Sequence, residues 1–256
     1  MKLATSTVCY SKVSLDEALN RTAAAGWQNL ELVAVPGWCH FECGKDDTAM
    51  LKDLLAKYGL KLVALHAGGI KCLSAKEAKK SVAYFEECML VGAELGADRL
   101  VFTGSRRDQG GSLDNAIEGL KVLEGMLDVH DFQICIENHY RNWFETMEDY
   151  DALMAALTHP RMGITMDTGH FTSSKVDMMA FIERFGDRVK HVHVKDHIGT
   201  QSVAIGAGET DNVAVVNALA AKGFDGYLSL ELEVKDKENT DAYVAEAREI
   251  MEGWVR

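Results

Sequence analysis

Short apolar runs suited to buried strands alternate with longer amphipathic segments along the whole chain, and the alternation repeats eight times. LATSTV precedes SLDEALNRTAAAG, NLELVAV precedes DDTAMLKDLLAKYG, and KLVALH precedes SAKEAKKSVAYFEECMLVGAELG. DRLVFTG, DFQICIEN, MGITMDTGH, RVKHVHVKD and GYLSLELEV open five more units, each followed by a helical pattern. Spread over 256 residues, eight units average about 32 residues each, and the total is close to the roughly 250 residues of a (β/α)8 barrel. The strand runs are nearly continuous in apolar residues, as parallel strands covered on both faces require. Ser14, Asp46, Ser74, Ser112 and Thr146 are candidate helix N-caps, and Gly26, Gly59, Gly96, Gly186 and Gly223 are candidate left-handed ends. No Pro/Gly/Ser-rich linker divides the chain, so residues 1–256 are expected to form one α/β domain, a (β/α)8 TIM barrel. A doubly wound open sheet is the alternative, but the first strand is not followed by a GxGxxG turn.

Charge and cysteine usage narrow the function. A formal charge of −12 gives no footprint for nucleic acid or for an anionic membrane surface. No apolar run approaches the roughly 18 residues of a membrane span, and the N-terminus turns polar too soon for a signal peptide, so a cytoplasmic location is expected. Cys9, Cys39, Cys43, Cys72, Cys88 and Cys135 contain no CxxC pair and are expected to be reduced thiols. CHFEC, at 39–43, lacks the second ligand pair of a zinc knuckle. A small-molecule substrate remains the best expectation, and exposed barrel helices leave homo-oligomerisation open.

In a barrel every strand delivers its C-terminal end to one rim, where catalytic residues gather. Strand five ends in Glu137 and His139, and strand six in Asp167 and His170; strand seven carries His191, His193, Lys195 and Asp196, and strand eight Glu231 and Glu233. The period of two puts His191, His193 and Lys195 on one face, and Glu231 with Glu233 on another. So many acids cannot be desolvated without a counter-charge, and Lys195 with Arg141 cannot offset them all. One divalent metal can. An oxygen-rich set with a single imidazole suits Mn²⁺, Mg²⁺ or Co²⁺, with Zn²⁺ also compatible. Strand eight leaves Glu231 and Glu233 as competing ligands.

Glu137 in IEN, Asp167 and His170 in MDTGH, His193 in HVHVKD and Glu231 in SLE are similar to the metal-site motifs of the xylose-isomerase-like TIM-barrel superfamily. That superfamily holds sugar isomerases and epimerases together with endonuclease IV. The likeness runs from LELV at strand two, through LHAGG at strand three, to the last strand. The resemblance implies that Glu137, Asp167, His193 and Glu231 bind the metal and that His170 touches substrate hydroxyls. One motif departs: where ketose 3-epimerases continue the strand-five glutamate as EPxNRxE, this chain has ENHYRNWFE.

The reaction expected is isomerisation or epimerisation of a small sugar or keto-sugar, by proton abstraction through a metal-stabilised enediolate. Glu137, Glu231, His170, His139 and Lys195 are the candidate catalytic groups, and His66, His170, Glu31 and Arg141 the candidate substrate contacts. A dehydratase or lyase acting on a keto-sugar, keto-inositol or 3-keto-glycoside shares the first proton transfer and is the alternative. A DNA repair enzyme would need a basic groove that this acidic chain does not offer. The turn GAGET, 206–210, is either an anion-holding nest of backbone N–H groups or a tight turn.

Overall fold

The computed structural model describes residues 1–255. Eight parallel strands close on themselves: β1 (Lys2–Ser6), β2 (Asn29–Val35), β3 (Lys61–Gly69), β4 (Arg99–Thr103), β5 (Gln133–Glu137), β6 (Met162–Asp167), β7 (Val189–Val194) and β8 (Tyr227–Leu230). Consecutive strands pair in parallel, and β1 closes the ring by pairing with both β2 and β8. Between them run α1 (Leu15–Ala24), α2 (Thr48–Tyr58), α3 (Ala75–Leu95), α4 (Leu113–Met126), α5 (Met147–Ala156), α6 (Met178–Phe185) and α7 (Asn212–Ala221), and α8 (Thr240–Trp254) follows β8. This is the (β/α)8 barrel that the repeating pattern predicts.

Local chemistry accounts for most boundaries. Ser14, Ser74, Ser112 and Thr146 each accept a hydrogen bond from a first-turn N–H, as N-caps should. The cap of α2 is Asp47 rather than Asp46, because Asp47 is the carboxylate that reaches the Ala49 N–H. Gly59 and Gly96 end their helices in the left-handed region, whereas Gly186 has a right-handed φ of −53° and leads into a short 3-10 turn. The main core lies between the strand ring and the helices. A second, small core of Ala4, Val63, Ala64, Val101, Cys135 and Tyr227 fills the barrel below the rim. The interior is thus plugged at depth, and chemistry is confined to the C-terminal mouth.

Two excursions shape that mouth. After β2 the chain turns through Pro36 and Gly37, and Cys39–His40 pairs back on β2 in antiparallel sense. After β6 a seven-residue helix, Thr168–Ser174, starts directly from Asp167. Among the described residues no helix is long and apolar enough to cross a membrane.

Candidate active site

Four strand ends converge at the mouth. Glu137 closes β5, Asp167 closes β6, His193 lies one residue before the end of β7, and Glu231 follows the last residue of β8. Register sets their height: Asp167 pairs with His193, and His193 also faces Ser229, two positions before Glu231. His193 Nδ1 lies 2.9 Å from Glu137 Oε1, 3.6 Å from Glu231 Oε2 and 3.8 Å from Asp167 Oδ2. One ligand atom from each of the four lies within 4.8 Å of the others, and all four residues are buried. Asn138 braces the arrangement, since its Nδ2 donates to the Asp167 carbonyl (2.9 Å) and its Oδ1 accepts from the Asp167 N–H (2.7 Å).

The donor set fits a divalent cation. Asp167 Oδ2 is buried without a hydrogen-bond partner, and the ammonium of Lys195 lies 3.1 Å from it, nearer than the His193 and His170 nitrogens at 3.8 and 3.9 Å. A desolvated carboxylate oxygen of this kind calls for a cation. Lys195 Nζ also lies 2.8 Å from Glu231 and 3.2 Å from Glu233. Burial alone would depress the basicity of His193, but Glu231, Glu31 and Glu137 together hold its pKa well above the ordinary histidine range. In the metal-free protein, protonated His193 and Lys195 therefore carry the positive charge that the acids need.

Glu31 and Arg141 both lie outside the lining of the cavity at the mouth. Glu31, on β2, is fully buried beneath the cluster, and both its oxygens face imidazole nitrogens. His193 Nε2 lies 2.9 Å from Oε1, and His191 Nε2 2.7 Å from Oε2. A carboxylate only accepts hydrogen bonds, so each Nε2 carries a proton, which leaves the Nδ1 lone pair of a neutral His193 facing Glu137, Asp167 and Glu231. Burial opposes ionisation of Glu31, yet the charges of His193 and His191 hold its carboxyl well below the usual range. Glu31, His191 and His193 also lie close enough to suggest a metal triad, but these hydrogen bonds already engage the Glu31 oxygens. Glu31 therefore orients the His193 ring from below. Arg141 is half exposed, pairs with Asp108 at 3.4 Å and lies outside the pocket lining.

The other candidates surround one cavity of about 220 Å³, lined by Glu137, His139, His170, Lys195, Glu231 and His66 among others. His66 Nδ1 accepts from the Gly68 N–H, so its Nε2 donates to Glu137 Oε2 at 2.9 Å. The rings of His139 and His170 lie 3.8 Å apart. Burial drives the His170 pKa well below the ordinary range, which keeps that ring neutral beside Lys195 Nζ at 3.4 Å. Gly169 allows this closeness: a Cβ there would stand 2.5 Å from the Lys195 Cβ. Burial and the nearby Glu137 raise the Glu231 carboxyl, against the pull of His193 and Lys195, while His193 and His66 hold Glu137 well below the usual range despite its burial. The two carboxyls facing the cavity thus differ in proton affinity.

Glu233 is half exposed and outside the cluster of four, so of the two strand-eight glutamates it is Glu231 that meets Glu137, Asp167 and His193. The GAGET turn does form a nest of N–H groups, but its anion is internal. Asp196 accepts from the N–H groups of Gly206 (2.8 Å), Gly208 (3.0 Å) and Thr210 (3.1 Å). Arg106 and Arg107 are engaged by Asp108 and Asp149. The sequence reading overlooked Trp38, half exposed at the cavity mouth; its signal was a large aromatic just after the Pro-Gly turn that ends β2.

The xylose isomerase-like TIM barrel family model matches residues 19–254. The inosose dehydratase of Mesomycoplasma hyopneumoniae (strain J) is 24% identical over 200 residues, which is 72% of this chain and 63% of that protein, so the match covers less than two thirds of the relative's length. Among solved structures, a D-tagatose 3-epimerase-like protein aligns over the full length of both chains with a TM-score of 0.79 and 21% identity. An IOLI protein with a bound zinc atom aligns over 100% of this chain and 98% of its own, with a TM-score of 0.80 and 17% identity. At these identities the structural likeness carries the fold alone.

Proposed function

Because the chain belongs to the xylose isomerase-like TIM-barrel family, we propose that it is a divalent-metal-dependent enzyme that removes the proton next to the carbonyl of a small keto-sugar or keto-cyclitol. The observation that carries this reading is the convergence of Glu137, Asp167, His193 and Glu231 within 4.8 Å at the mouth of the barrel. These four residues would hold the metal, with Mn²⁺, Mg²⁺ or Co²⁺ matching the oxygen-rich set and Zn²⁺ also compatible. Bound there, a divalent cation supplies Lewis-acid stabilisation of the negative charge that develops on oxygen as the C–H bond breaks.

The remaining chemistry belongs to the chain. Glu137, the stronger acid of the two carboxyls, is ionised and acts as base; His66 donates to its Oε2 and fixes its orientation. The C–H electron pair moves into the carbonyl to give an enediolate. Glu231, which lines the same cavity, returns a proton from its own side. Return of the proton to the opposite face gives an epimer, and return to the neighbouring carbon gives an isomer.

A second reading has its own support. The curated relative is an inosose dehydratase, and the closely apposed His139 and His170 rings add imidazoles to the same cavity. In that case the enediolate re-forms the carbonyl and expels a β-hydroxyl, which takes a proton from His139 and leaves as water. Proton NMR in D₂O of the Mn²⁺-loaded protein with ketoses, inososes and 3-keto-glycosides tests both readings. We expect exchange of one C–H signal, either with retained formula or with an unsaturated product. Absence of exchange in every candidate, with metal bound, would refute the proposal.

A further inference from the structure

The metal pocket, at about 220 Å³, falls below the roughly 300–1,000 Å³ of ordinary ligand pockets. Beside it lies a second cavity of about 500 Å³ that shares Val35, Gly68 and Gly69 as lining. Those three residues separate the two cavities, and two of them carry no side chain. Gly68 sits at φ +84°, where a Cβ would come within 3.2 Å of the Val35 side chain, and a Cβ on Gly69 would come within 3.1 Å of the Gly104 carbonyl. Val35 is therefore the one side chain on the ridge.

The second cavity is built for an apolar occupant. Val35, Pro36, Ala67 and Phe85 line it. The Tyr84 hydroxyl donates to the Ala34 carbonyl at 2.8 Å and accepts from the Cys43 N–H, which leaves its ring to make contacts. Ser81 Oγ accepts from the Lys71 N–H and donates to the Glu77 carbonyl, and Lys80 pairs with Glu77 at 2.8 Å. The Tyr84 and Ser81 hydroxyls and the Lys80–Glu77 pair thus have partners within the protein, and Lys71 adds one ammonium to the lining.

Resting on the function proposed above, we propose that the substrate is a conjugate: a keto-sugar ring in the metal pocket carrying an apolar aromatic substituent that crosses the glycine ridge into the second cavity. The substrate class is then an aryl keto-glycoside rather than a free sugar. The substituent would add binding through buried apolar area without touching the reacting atoms.

Calorimetry on the Mn²⁺-loaded protein, with methyl and phenyl 3-keto-β-glucosides as probes, tests this. The phenyl compound is expected to bind at least about tenfold more tightly. Lys80→Trp and Ser81→Phe, which fill the second cavity, should bring the two affinities together while leaving the methyl compound unchanged; Lys79→Trp, on the same helix but outside the lining, should keep the difference. If the methyl compound binds and the phenyl compound is no tighter, or if the filled variants keep the difference, the conjugate reading is wrong and the metal pocket stands. If neither compound binds, both readings fall.

Discussion

Replacing Glu31 with leucine should weaken metal binding about 10- to 100-fold, the usual cost of losing the carboxylate behind a ligating histidine. The geometry shows where the loss arises. Glu31 Oε1 lies 2.9 Å from His193 Nε2 and places the ring proton there, so that Nδ1 faces Glu137, Asp167 and Glu231. Without the acceptor, the neutral ring also populates the tautomer with its proton on Nδ1, and that form cannot bind a cation. Equal population of the two tautomers accounts for only about a factor of two; reduced basicity and freer ring rotation supply the rest. A 10- to 100-fold change corresponds to about 1.4–2.7 kcal/mol. Glu31→Gln should lose much less, because the amide oxygen can serve His193 while its NH2 faces His191, whose buried Nδ1 has no hydrogen-bond partner and can carry the proton instead. The assay is calorimetric Mn²⁺ titration of chelator-treated protein, with circular dichroism and urea unfolding to confirm that the variants fold. Leucine variant affinity within roughly threefold of the parent would contradict the positioning role.

Further outcomes follow from the same cluster. His193 of the metal-free protein has a raised pKa, so its stabilising contribution is complete below the unfolded value of about 6.5 and is lost as pH rises through the folded value. Metal needs the neutral ring, so the rise in Tm on adding Mn²⁺ should be larger at about pH 8 than at about pH 6; an equal rise at both would count against a histidine ligand. Glu137→Gln should lower the rate of substrate C–H exchange by about 10²- to 10⁴-fold or more, measured by NMR in D₂O, and retention of parental exchange would remove it as base. Lys195→Met leaves the buried Asp167 and Glu231 without their ammonium and should destabilise the metal-free protein by about 3–5 kcal/mol in urea unfolding, with much of the loss recovered by Mn²⁺. Gly169→Ala pushes a methyl against Lys195 and should cost about 1–3 kcal/mol by the same measurement.

The barrel was legible in the sequence because its signal is periodic and repeated: each strand is a nearly continuous apolar run, and of the five caps expected, Ser14, Ser74, Ser112 and Thr146 are used and the fifth shifts one residue to Asp47. The convergence at the rim was legible for a related reason, since the alternation of side chains and a shared strand end suffice to bring Glu137, Asp167, His193 and Glu231 to one place. What could not be read were contacts across the ring. Glu31 meets His193 over 162 positions of sequence, and no local pattern distinguishes an acid pointing at substrate from one buried beneath a ligand. The glycine-rich turn was ambiguous for the same reason: whether its N–H groups await an external anion depends on Asp196, which lies ten residues before Gly206 and occupies them. Trp38 shows the limit in a loop, where residue type hints at exposure but not at which cavity is approached.

The hydrogen bond between Glu31 and His193 also joins the two halves of the molecule. The four metal-facing residues all come from the second half of the chain, yet the group that sets the proton on one of them comes from the second strand of the first half. A nascent or fragmentary C-terminal half-barrel could gather the same acids and imidazole and still bind metal weakly. On the proposed reading, metal affinity would therefore gauge ring closure, and the site would reach full strength only once both halves have met.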